Sequence, residues 1–151
     1  MNTEARSSGR VRIRSATPAD APAIAALMVE LGYPDGVAAI EARIARACPD
    51  GPDAVLLAEH DGRAAGAASV HLIPLFHRDG LLARLTSFVV TRELQGRGIG
   101  SALLTACERW AAERGAERIE ITSGDERDEA HHFYEQRGFA REGQRFSKWV
   151  R

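Results

Sequence analysis

The chain of 151 residues has little net charge, only two cysteines and no long apolar segment, and each scarcity excludes a class of protein. Its 20 basic and 21 acidic residues leave a formal charge of −1, whereas sequence-independent nucleic-acid binding needs a large excess of Lys and Arg. Cys48 and Cys107 have no CxxC or Cys/His spacing, which predicts buried free thiols. No segment approaches 18 consecutive apolar residues, so no membrane-spanning helix is predicted.

The remaining composition is that of one soluble domain. Hydrophobic residues make up 44% and charged residues 27% of the sequence, which is close to the globular average. A domain of this length buries enough surface to fold without disulfides or metal. Residues 1–9 are polar and are predicted as a disordered tail, and residues 10–151 as a single domain. Without a secretory signal, we expect a cytoplasmic protein with no nucleic-acid or membrane partner.

Hydrophobic periodicity predicts an α+β domain with the element order β-α-α-β-β-β-α-β-α-β-β. Asp61-Gly62, between two strand-like runs, predicts a hairpin. The predicted strands are 11–14, 54–59, 64–73, 81–91, 118–122 and two closing strands at Phe139 and Arg145–Val150. The predicted helices are 18–31, 37–48, 99–114 and 125–137. We therefore expect a mixed, mostly antiparallel central sheet of about seven strands, flanked by four helices.

A glycine-rich turn, QGRGIG at residues 95–100, lies between a predicted strand and a long predicted helix. A helix N-terminus presents N–H groups and a positive dipole end, and glycines let the backbone approach an anion, so this turn is suited to hold phosphate. A Walker A loop would need a lysine after the last glycine, and a dinucleotide-binding fold would need G-x-G-x-x-G within a parallel sheet. The sequence has neither arrangement, so both are excluded.

Two segments of the sequence together resemble a known family. The first is the turn at residues 95–100, and the second is AHHFYEQRGF at residues 130–139. They match the Q/R-x-x-G-x-G/A and A-x-x-x-Y-x-x-x-G-F patterns of the GCN5-related N-acetyltransferases (GNAT). The resemblance covers the order of elements from about residue 11 to 151. It implies the GNAT fold, acetyl-CoA as cosubstrate, and transfer of an acetyl group to an amine.

The resemblance also implies where acetyl-CoA binds. Backbone groups of 88–90 would pair with the pantetheine arm like an added strand, where the fourth and fifth strands splay. Backbone N–H groups of 95–101 would hold the pyrophosphate, with the Arg97 side chain as an added cation. Arg127 stands where many relatives carry Asn, and it would contact phosphate or flank the helix start. The cofactor-binding residues so implied are Phe88, Val89, Val90, Gln95, Gly96, Arg97, Gly98, Ile99, Gly100, Ser101 and Arg127.

Tyr134, by the same resemblance, would face the thioester sulfur and act as general acid, protonating the CoA thiolate as it leaves. A phenol is ordinarily protonated at neutral pH and can donate. The attacking amine must first lose its ammonium proton to a base. The candidate bases are Glu30, His71 and Glu120, or a water held by backbone carbonyls.

The acceptor site is marked by charge and by position. Residues 117–129 contain six acidic residues and two arginines. They form either an acidic lip for a cationic amine or a favourable charge at a helix N-terminus. Glu30, Tyr33 and His77 lie where relatives shape the acceptor pocket, and His71 and Glu120 are counted with them as substrate residues.

We expect acetyl transfer to the primary amine of a small molecule that is aminoglycoside-like, a polyamine or amino-acid-like. Two alternatives remain, namely acetylation of a protein N-terminus or lysine, and a non-catalytic acyl-CoA-binding sensor module. His131-His132 have no accompanying ligand spacing, so no metal site is predicted. An exposed closing strand with Phe146 and Trp149 is expected to support a homodimer.

Overall fold

The computed structural model describes residues 9–47, 50–122 and 128–151. The chain divides into two compact units, of which the first ends at Ile121 and the second is Thr122–Arg151. The tail predicted over residues 1–9 falls almost entirely outside the described residues, and so do Cys48 and the predicted cofactor residue Arg127. None of the helices described is long and apolar enough to cross a membrane.

The elements of the first unit follow the predicted order. Its strands are β1 (Val11–Ser15), β2 (Asp53–His60), β3 (Arg63–Pro74), β4 (Leu81–Val90) and β5 (Ala116–Ile121). Its helices are α1 (Ala21–Leu31), α2 (Val37–Arg46) and α3 (Ile99–Glu113), with short 3₁₀ turns at Pro18–Asp20 and Arg92–Leu94. The second unit contains α4 (Asp128–Gln136).

The five strands lie side by side in sequence order. β1 to β4 pair antiparallel with their neighbours, and β5 pairs with β4 in parallel. Asp61 and Gly62 form the predicted hairpin turn between β2 and β3, with φ angles of 50° and 78°, as a two-residue turn of the favoured type requires. A parallel neighbour needs a crossover connection, and α3 supplies it between β4 and β5.

The prediction of about seven strands is wrong in number, because the described residues form five. The two closing strands, at Phe139 and over Arg145–Val150, do not form, and residues 139–151 are irregular. Alternation of polar and apolar residues yields a strand only where a neighbouring strand accepts its backbone hydrogen bonds. In the described part of the chain this segment has no such neighbour.

One face of the sheet is covered by α1 and α2. Their buried residues pack in one cluster with Leu57 of β2, Ala67 of β3 and Val89 of β4. β3 is rich in alanine and glycine, so helices can approach it closely. Gly66 is the tightest point, since a Cβ added there would lie 2.8 Å from the Val89 carbonyl oxygen and 3.5 Å from Leu103 of α3.

The opposite face is covered by α3, which contacts all five strands. Its buried residues are Ile99, Leu103, Leu104, Cys107, Trp110 and Ala111. Cys107 is fully buried, as the sequence predicts, and this burial raises the pKa of its thiol to about 12. At neutral pH the thiol is therefore protonated and out of reach of solvent, so it is a packing residue.

Candidate active site

β4 is paired on both sides only along its first half. Its pairing with β5 ends at Leu85 opposite Ile121, whereas its pairing with β3 continues to Val90 opposite Gly66. One edge of residues 86–90 therefore faces no strand in the part of the chain that the structure describes. This opening lies where the family resemblance implies that the fourth and fifth strands splay.

Alternate residues direct their backbone groups toward this open edge. The Thr91 N–H donates to the Ala65 carbonyl of β3 at 2.8 Å, and successive residues of a strand direct their backbone groups to opposite sides. Phe88 and Val90 therefore direct theirs toward the open edge, and Val89 toward β3. Two of the three residues predicted to pair with pantetheine thus present backbone groups to the opening.

The glycine-rich turn leads from this edge into α3. After a short 3₁₀ turn, Gln95 Nε2 donates to the Val90 carbonyl at 3.4 Å, which ties the turn to the end of the strand. Gly96 and Gly98 both have a φ of 79°, a left-handed conformation that disfavours residues with a Cβ. An added Cβ at either glycine would meet no atom within 4 Å, so both glycines border open space.

The first turn of α3 supplies hydrogen-bond donors for an anion. Gly98 is the N-cap, and its carbonyl accepts the first helical hydrogen bond from the Ala102 N–H at 3.1 Å. Helix geometry leaves the N–H groups of Gly98, Ile99 and Gly100 without an acceptor inside the helix, at the positive end of its dipole. The exposed Arg97 adds a cation on the same turn. This arrangement is suited to hold phosphate or pyrophosphate.

The sheet face that α1 and α2 cover becomes polar beyond those helices. His71 lies four residues after Ala67 on β3, and Asp53 lies four residues before Leu57 on β2, so both share that face. His71 Nδ1 lies 2.7 Å from Asp53 Oδ1, and His71 Nε2 lies 2.6 Å from Thr86 Oγ1. Three neighbouring strands thus bring a carboxylate, an imidazole and a hydroxyl together in one chain of hydrogen bonds.

An ion pair and an open cavity lie beside this cluster. Arg84, which is opposite His71 in the β3–β4 register, donates from Nε to Glu120 Oε1 of β5 at 2.7 Å. The cavity has a volume of about 490 Å³ and is lined by Leu75, His77, Arg78, Leu81, Leu82, Arg118 and Glu120. Two of the predicted acceptor residues, His77 and Glu120, therefore share a cavity wall.

Two further predicted acceptor residues, Glu30 and Tyr33, lie at the end of α1. Glu30 Oε1 accepts a hydrogen bond from the Arg92 N–H at 3.1 Å, so its carboxylate lies where β4 ends. Tyr33 follows α1 and is 68% exposed. The three candidate bases thus occupy two places, with Glu30 at the end of β4 and with His71 and Glu120 beside its first half.

Tyr134 lies on α4 in the second unit and is 9% exposed. Its ring lies edge-on to Phe133 and tilted against Phe139, with centroids 5.4 and 5.7 Å away. The Tyr134 carbonyl accepts the Phe139 N–H at 3.1 Å, and the left-handed Gly138 ends the helix. The tyrosine motif therefore folds as a helix with a glycine cap that fixes the ring between aromatic neighbours in the sequence.

Asp53 and Thr86 are site residues that sequence patterns did not predict. Thr86 is the extra residue of a β-bulge, since Ser69 pairs with Ser87 but the next residue of β3 pairs with Leu85. A bulge re-aims the side chain that it carries, and regular alternation does not reveal it. The available signal for these two residues was their polar character, on or directly beside neighbouring predicted strands.

Comparisons with known proteins agree with the motifs and the fold. Residues 22–139 match the family model described as the acetyltransferase (GNAT) family. Over 92 residues the chain is 33% identical to an aminoalkylphosphonate N-acetyltransferase of Salmonella typhimurium, an alignment that covers 61% of this chain and 60% of that protein. Over 131 residues it is 34% identical to an aminoglycoside N(6')-acetyltransferase type 1 of Stenotrophomonas maltophilia, with 84% of each chain covered.

The fold is shared with a solved structure of the aminoglycoside N-acetyltransferase AAC(6')-Iy in complex with CoA. The two structures superpose with a TM-score of 0.80 over 95% of each chain, at 19% sequence identity. The expected α+β fold, with a mixed sheet and four helices, is therefore confirmed. Because the family model spans most of the sequence, this chain belongs to the acetyltransferase (GNAT) family, a family of acyltransferases.

Proposed function

We propose that the protein transfers an acetyl group from acetyl-CoA to the primary amine of a small molecule. The observation that carries this proposal is the open edge of β4, which leads through the glycine-rich turn into the N-terminus of α3. A strand edge pairs with an extended arm that contains amides, and a helix N-terminus holds pyrophosphate. Pantetheine and pyrophosphate occur in that order in CoA. Membership of the GNAT family supports the same cosubstrate.

The residues present fit this cosubstrate. Backbone groups of Phe88 and Val90 would hold the pantetheine arm, and the N–H groups of residues 98–100, with Arg97, would hold the pyrophosphate. Open space at Gly96 and Gly98 lets an anion approach the backbone. Acetyl-CoA supplies an acetyl group activated as a thioester, and the chain orients it.

The amine attacks the thioester directly in this proposal. A covalent route would need a reactive nucleophile, but Cys107 is fully buried and its pKa is raised to about 12 by that burial. Tyr134 serves as the general acid that protonates the departing thiolate. Its place in the family motif supports this role.

The relatives' names suggest two classes of acceptor, aminoalkylphosphonates and aminoglycosides. The cavity beside β5 carries both signs of charge. Arg78 and Arg118 suit a phosphonate or another anionic group, and the carboxylate of Glu120 suits an ammonium group. We therefore take 2-aminoethylphosphonate and the aminoglycoside neamine as the first two probes.

The proposed function is tested by incubating the full chain with acetyl-CoA and a panel of amines. The panel contains both probes, a polyamine, several amino acids and a lysine-containing peptide. Release of the CoA thiol is measured with a colorimetric thiol assay, and acetylation of the amine is confirmed by mass spectrometry. Acetylation of a small amine is the expected result. Acetylation of the peptide alone would favour a protein acetyltransferase. Acetyl-CoA binding by calorimetry, without acetylation of any amine, would favour the sensor module.

Replacement of the phenol tests the general acid. We expect Tyr134→Phe to lower kcat by about 10- to 10⁴-fold, because the thiolate then leaves without a proton. The ring and its packing on Phe133 and Phe139 are kept, so the Kd for acetyl-CoA should change little. Steady-state kinetics and calorimetry measure the two quantities.

His132→Gln is the matched control for this variant. His132 is exposed and lies on the same helix, so its replacement should leave kcat unchanged. A Tyr134→Phe enzyme with unaltered kcat on a good acceptor would show that the phenol proton is not used.

A further inference from the structure

The chain of hydrogen bonds on the sheet face contains four side chains from three strands. Asp53 Oδ1 lies 2.7 Å from His71 Nδ1, and Thr86 Oγ1 lies 2.6 Å from His71 Nε2. Ser69 Oγ lies 2.7 Å from Thr86 Oγ1. The side chains of His71 and Asp53 are 34% and 48% exposed, so the cluster is open to solvent and to a small molecule.

The partners determine which way the protons point. A carboxylate can only accept, so the Asp53 contact places the ring proton of neutral His71 on Nδ1. His71 Nε2 is then an acceptor, and the Thr86 hydroxyl donates to it. The Thr86 oxygen keeps lone pairs for a further donor, either the Ser69 hydroxyl or an N–H group of an incoming amine.

Thr86 lies where the pairing between β4 and β5 ends. Thr86 is the bulged residue that follows Leu85, and Leu85 is the last residue of β4 that pairs with β5. The hydroxyl therefore lies at the point where the edge of β4 opens. A pantetheine arm laid along Phe88 and Val90 would direct its thioester end toward this point, since the pyrophosphate is held at the other end.

The charged groups around His71 come from each neighbouring strand. Asp53 of β2 is in direct contact with its ring. Arg84 of β4 is opposite His71 in register and is paired with Glu120 of β5. The arginine is thus partly neutralised by its own carboxylate, and Asp53 is the charge that acts most directly on the imidazole.

We propose that Thr86, His71 and Asp53 form a proton relay that deprotonates the acceptor amine. Thr86 is the catalytic residue that touches the amine, His71 accepts the proton through Thr86, and Asp53 is a positioning residue that fixes the ring. This inference rests on the proposed acetyl transfer and specifies which group acts as its base. It also separates His71 from the other two candidate bases, Glu30 and Glu120.

The step balances in protons and electrons. The ammonium group gives one proton to Thr86 Oγ1 while Thr86 passes its own proton to His71 Nε2. The freed lone pair forms the C–N bond to the acetyl carbonyl carbon, and the C–S bond breaks with its electron pair on sulfur. The nitrogen then loses a second proton to solvent, and the departing sulfur takes up one proton from its general acid. The products are the amide and CoA thiol, and His71 returns its proton to solvent.

The test compares full-length variants with the amine that the wild type acetylates. We expect His71→Gln and Thr86→Val to lower kcat/KM by about 10²-fold at neutral pH, the usual size of a general-base contribution. Thr86→Ser keeps the hydroxyl and should stay within about 3-fold of the wild type, and Asp53→Asn should lose about 10-fold. The KM for acetyl-CoA should not change in any of them.

The pH profile separates a proton relay from a structural role. Wild-type kcat/KM should fall at acid pH along a limb that Thr86→Ser retains and that His71→Gln and Thr86→Val shift to the higher pH at which the amine itself loses its proton. His132→Gln is the matched control, and its profile should equal that of the wild type. Equal acid limbs in the wild type and His71→Gln, with equal kcat/KM, would overturn the relay while acetyl transfer stands. Equal losses of kcat/KM in Thr86→Ser and Thr86→Val would also overturn the relay.

A second readout does not depend on turnover. Ring-nitrogen NMR of the wild type should show the proton of neutral His71 on Nδ1, and a proton on Nε2 would overturn the relay. If the wild type binds acetyl-CoA but acetylates no amine of the panel, the proposed function fails, and the relay fails with it. Failure of the relay alone leaves a wild type that acetylates an amine, whereas failure of the proposed function leaves a wild type that acetylates none. The two failures are therefore distinguishable.

Discussion

Arg14 joins the first strand to two carboxylates. Its two terminal nitrogens donate to the Asp20 carboxylate at 2.7 and 2.8 Å, and its Nε donates to Glu59 of β2. Asp20 also accepts the Thr17 N–H at 2.7 Å. The hydrogen bonds from Arg14 hold the pKa of the Asp20 carboxyl well below its usual range. The cluster links β1, β2 and the entrance to α1.

This cluster predicts a pH dependence of stability. We expect Asp20→Asn to lower the free energy of unfolding by about 1–3 kcal/mol at pH 7, because a charge-assisted pair is lost. The folded pKa of Asp20 is lowered, so its contribution is fully present above the unfolded pKa of about 4 and is lost as the pH falls through the folded pKa. The difference between the two proteins should therefore be constant from about pH 5 to 8 and shrink below about pH 4.

Urea unfolding of both proteins over this pH range measures the difference. Asp50→Asn, the same substitution at an exposed carboxylate, is the control. A difference that grows on acidification would contradict the assignment.

Residues within contiguous motifs could be predicted, and residues that meet across strands could not. The glycines of 95–100 and Tyr134 were singled out by their resemblance to contiguous family motifs, which a turn and a helix keep together in space, and their roles stay predictions. Asp53 and Thr86 meet His71 only through strand register, and the register contains a bulge that side-chain alternation does not reveal. The sequence therefore indicated His71 as a candidate base but not its two hydrogen-bond partners, Asp53 and Thr86.

β3 and β4 are fitted most closely at Gly66, next to the open edge. A Cβ at this position would lie 2.8 Å from the Val89 carbonyl oxygen, which is too close for any real side chain. We expect Gly66→Ala to lower the free energy of unfolding by about 1–3 kcal/mol, the range for overpacking. It should also weaken acetyl-CoA binding, because β4 must move away from β3 to relieve the contact.

Chemical denaturation and calorimetric titration with acetyl-CoA measure the two effects. The control is Gly36→Ala at the N-cap of α2, where an added Cβ meets nothing within 4 Å. An N-cap prefers glycine to alanine by roughly 1 kcal/mol, so that change should cost no more than about this amount and should leave acetyl-CoA binding unchanged. Equal stability of Gly66→Ala and Gly36→Ala would show that β3 and β4 tolerate a side chain at their closest approach.

Helices and the hairpin were predictable as elements because their signals are local. Apolar spacing marks α1 to α3, and Asp61-Gly62 marks the β2–β3 turn. The closing strands were not predictable in this way. An alternating segment becomes a strand only if the rest of the fold provides an edge to pair with, and residues 145–150 are irregular in the structure.

The end of the chain exposes more apolar surface than any other described segment of the second unit. Phe146, Trp149 and Val150 are 89%, 93% and 88% exposed. A homodimer through this segment stays a prediction. We expect sedimentation to show a concentration-dependent dimer in the wild type and weaker association in Trp149→Ser, because the largest apolar side chain is lost. The same monomer mass at all concentrations would refute the dimer.

The order of elements along the chain and the mixed, mostly antiparallel sheet followed from the sequence, but the acceptor did not. The proposed acceptor site combines side chains that β2, β3, β4 and β5 bring to one face with a cavity wall from the loop before β4. Relatives with the same fold are named for two chemically different acceptors. Composition and periodicity carry no information on which side chains share that wall.

The partial pairing of β4 with β5 also has a consequence for association between chains. A strand edge that has no neighbouring strand can pair with an extended peptide, and proteins usually cover such edges. In the described part of this chain, residues 86–90 have no strand on that side. A cosubstrate laid along the edge would act as a cover as well as a reactant.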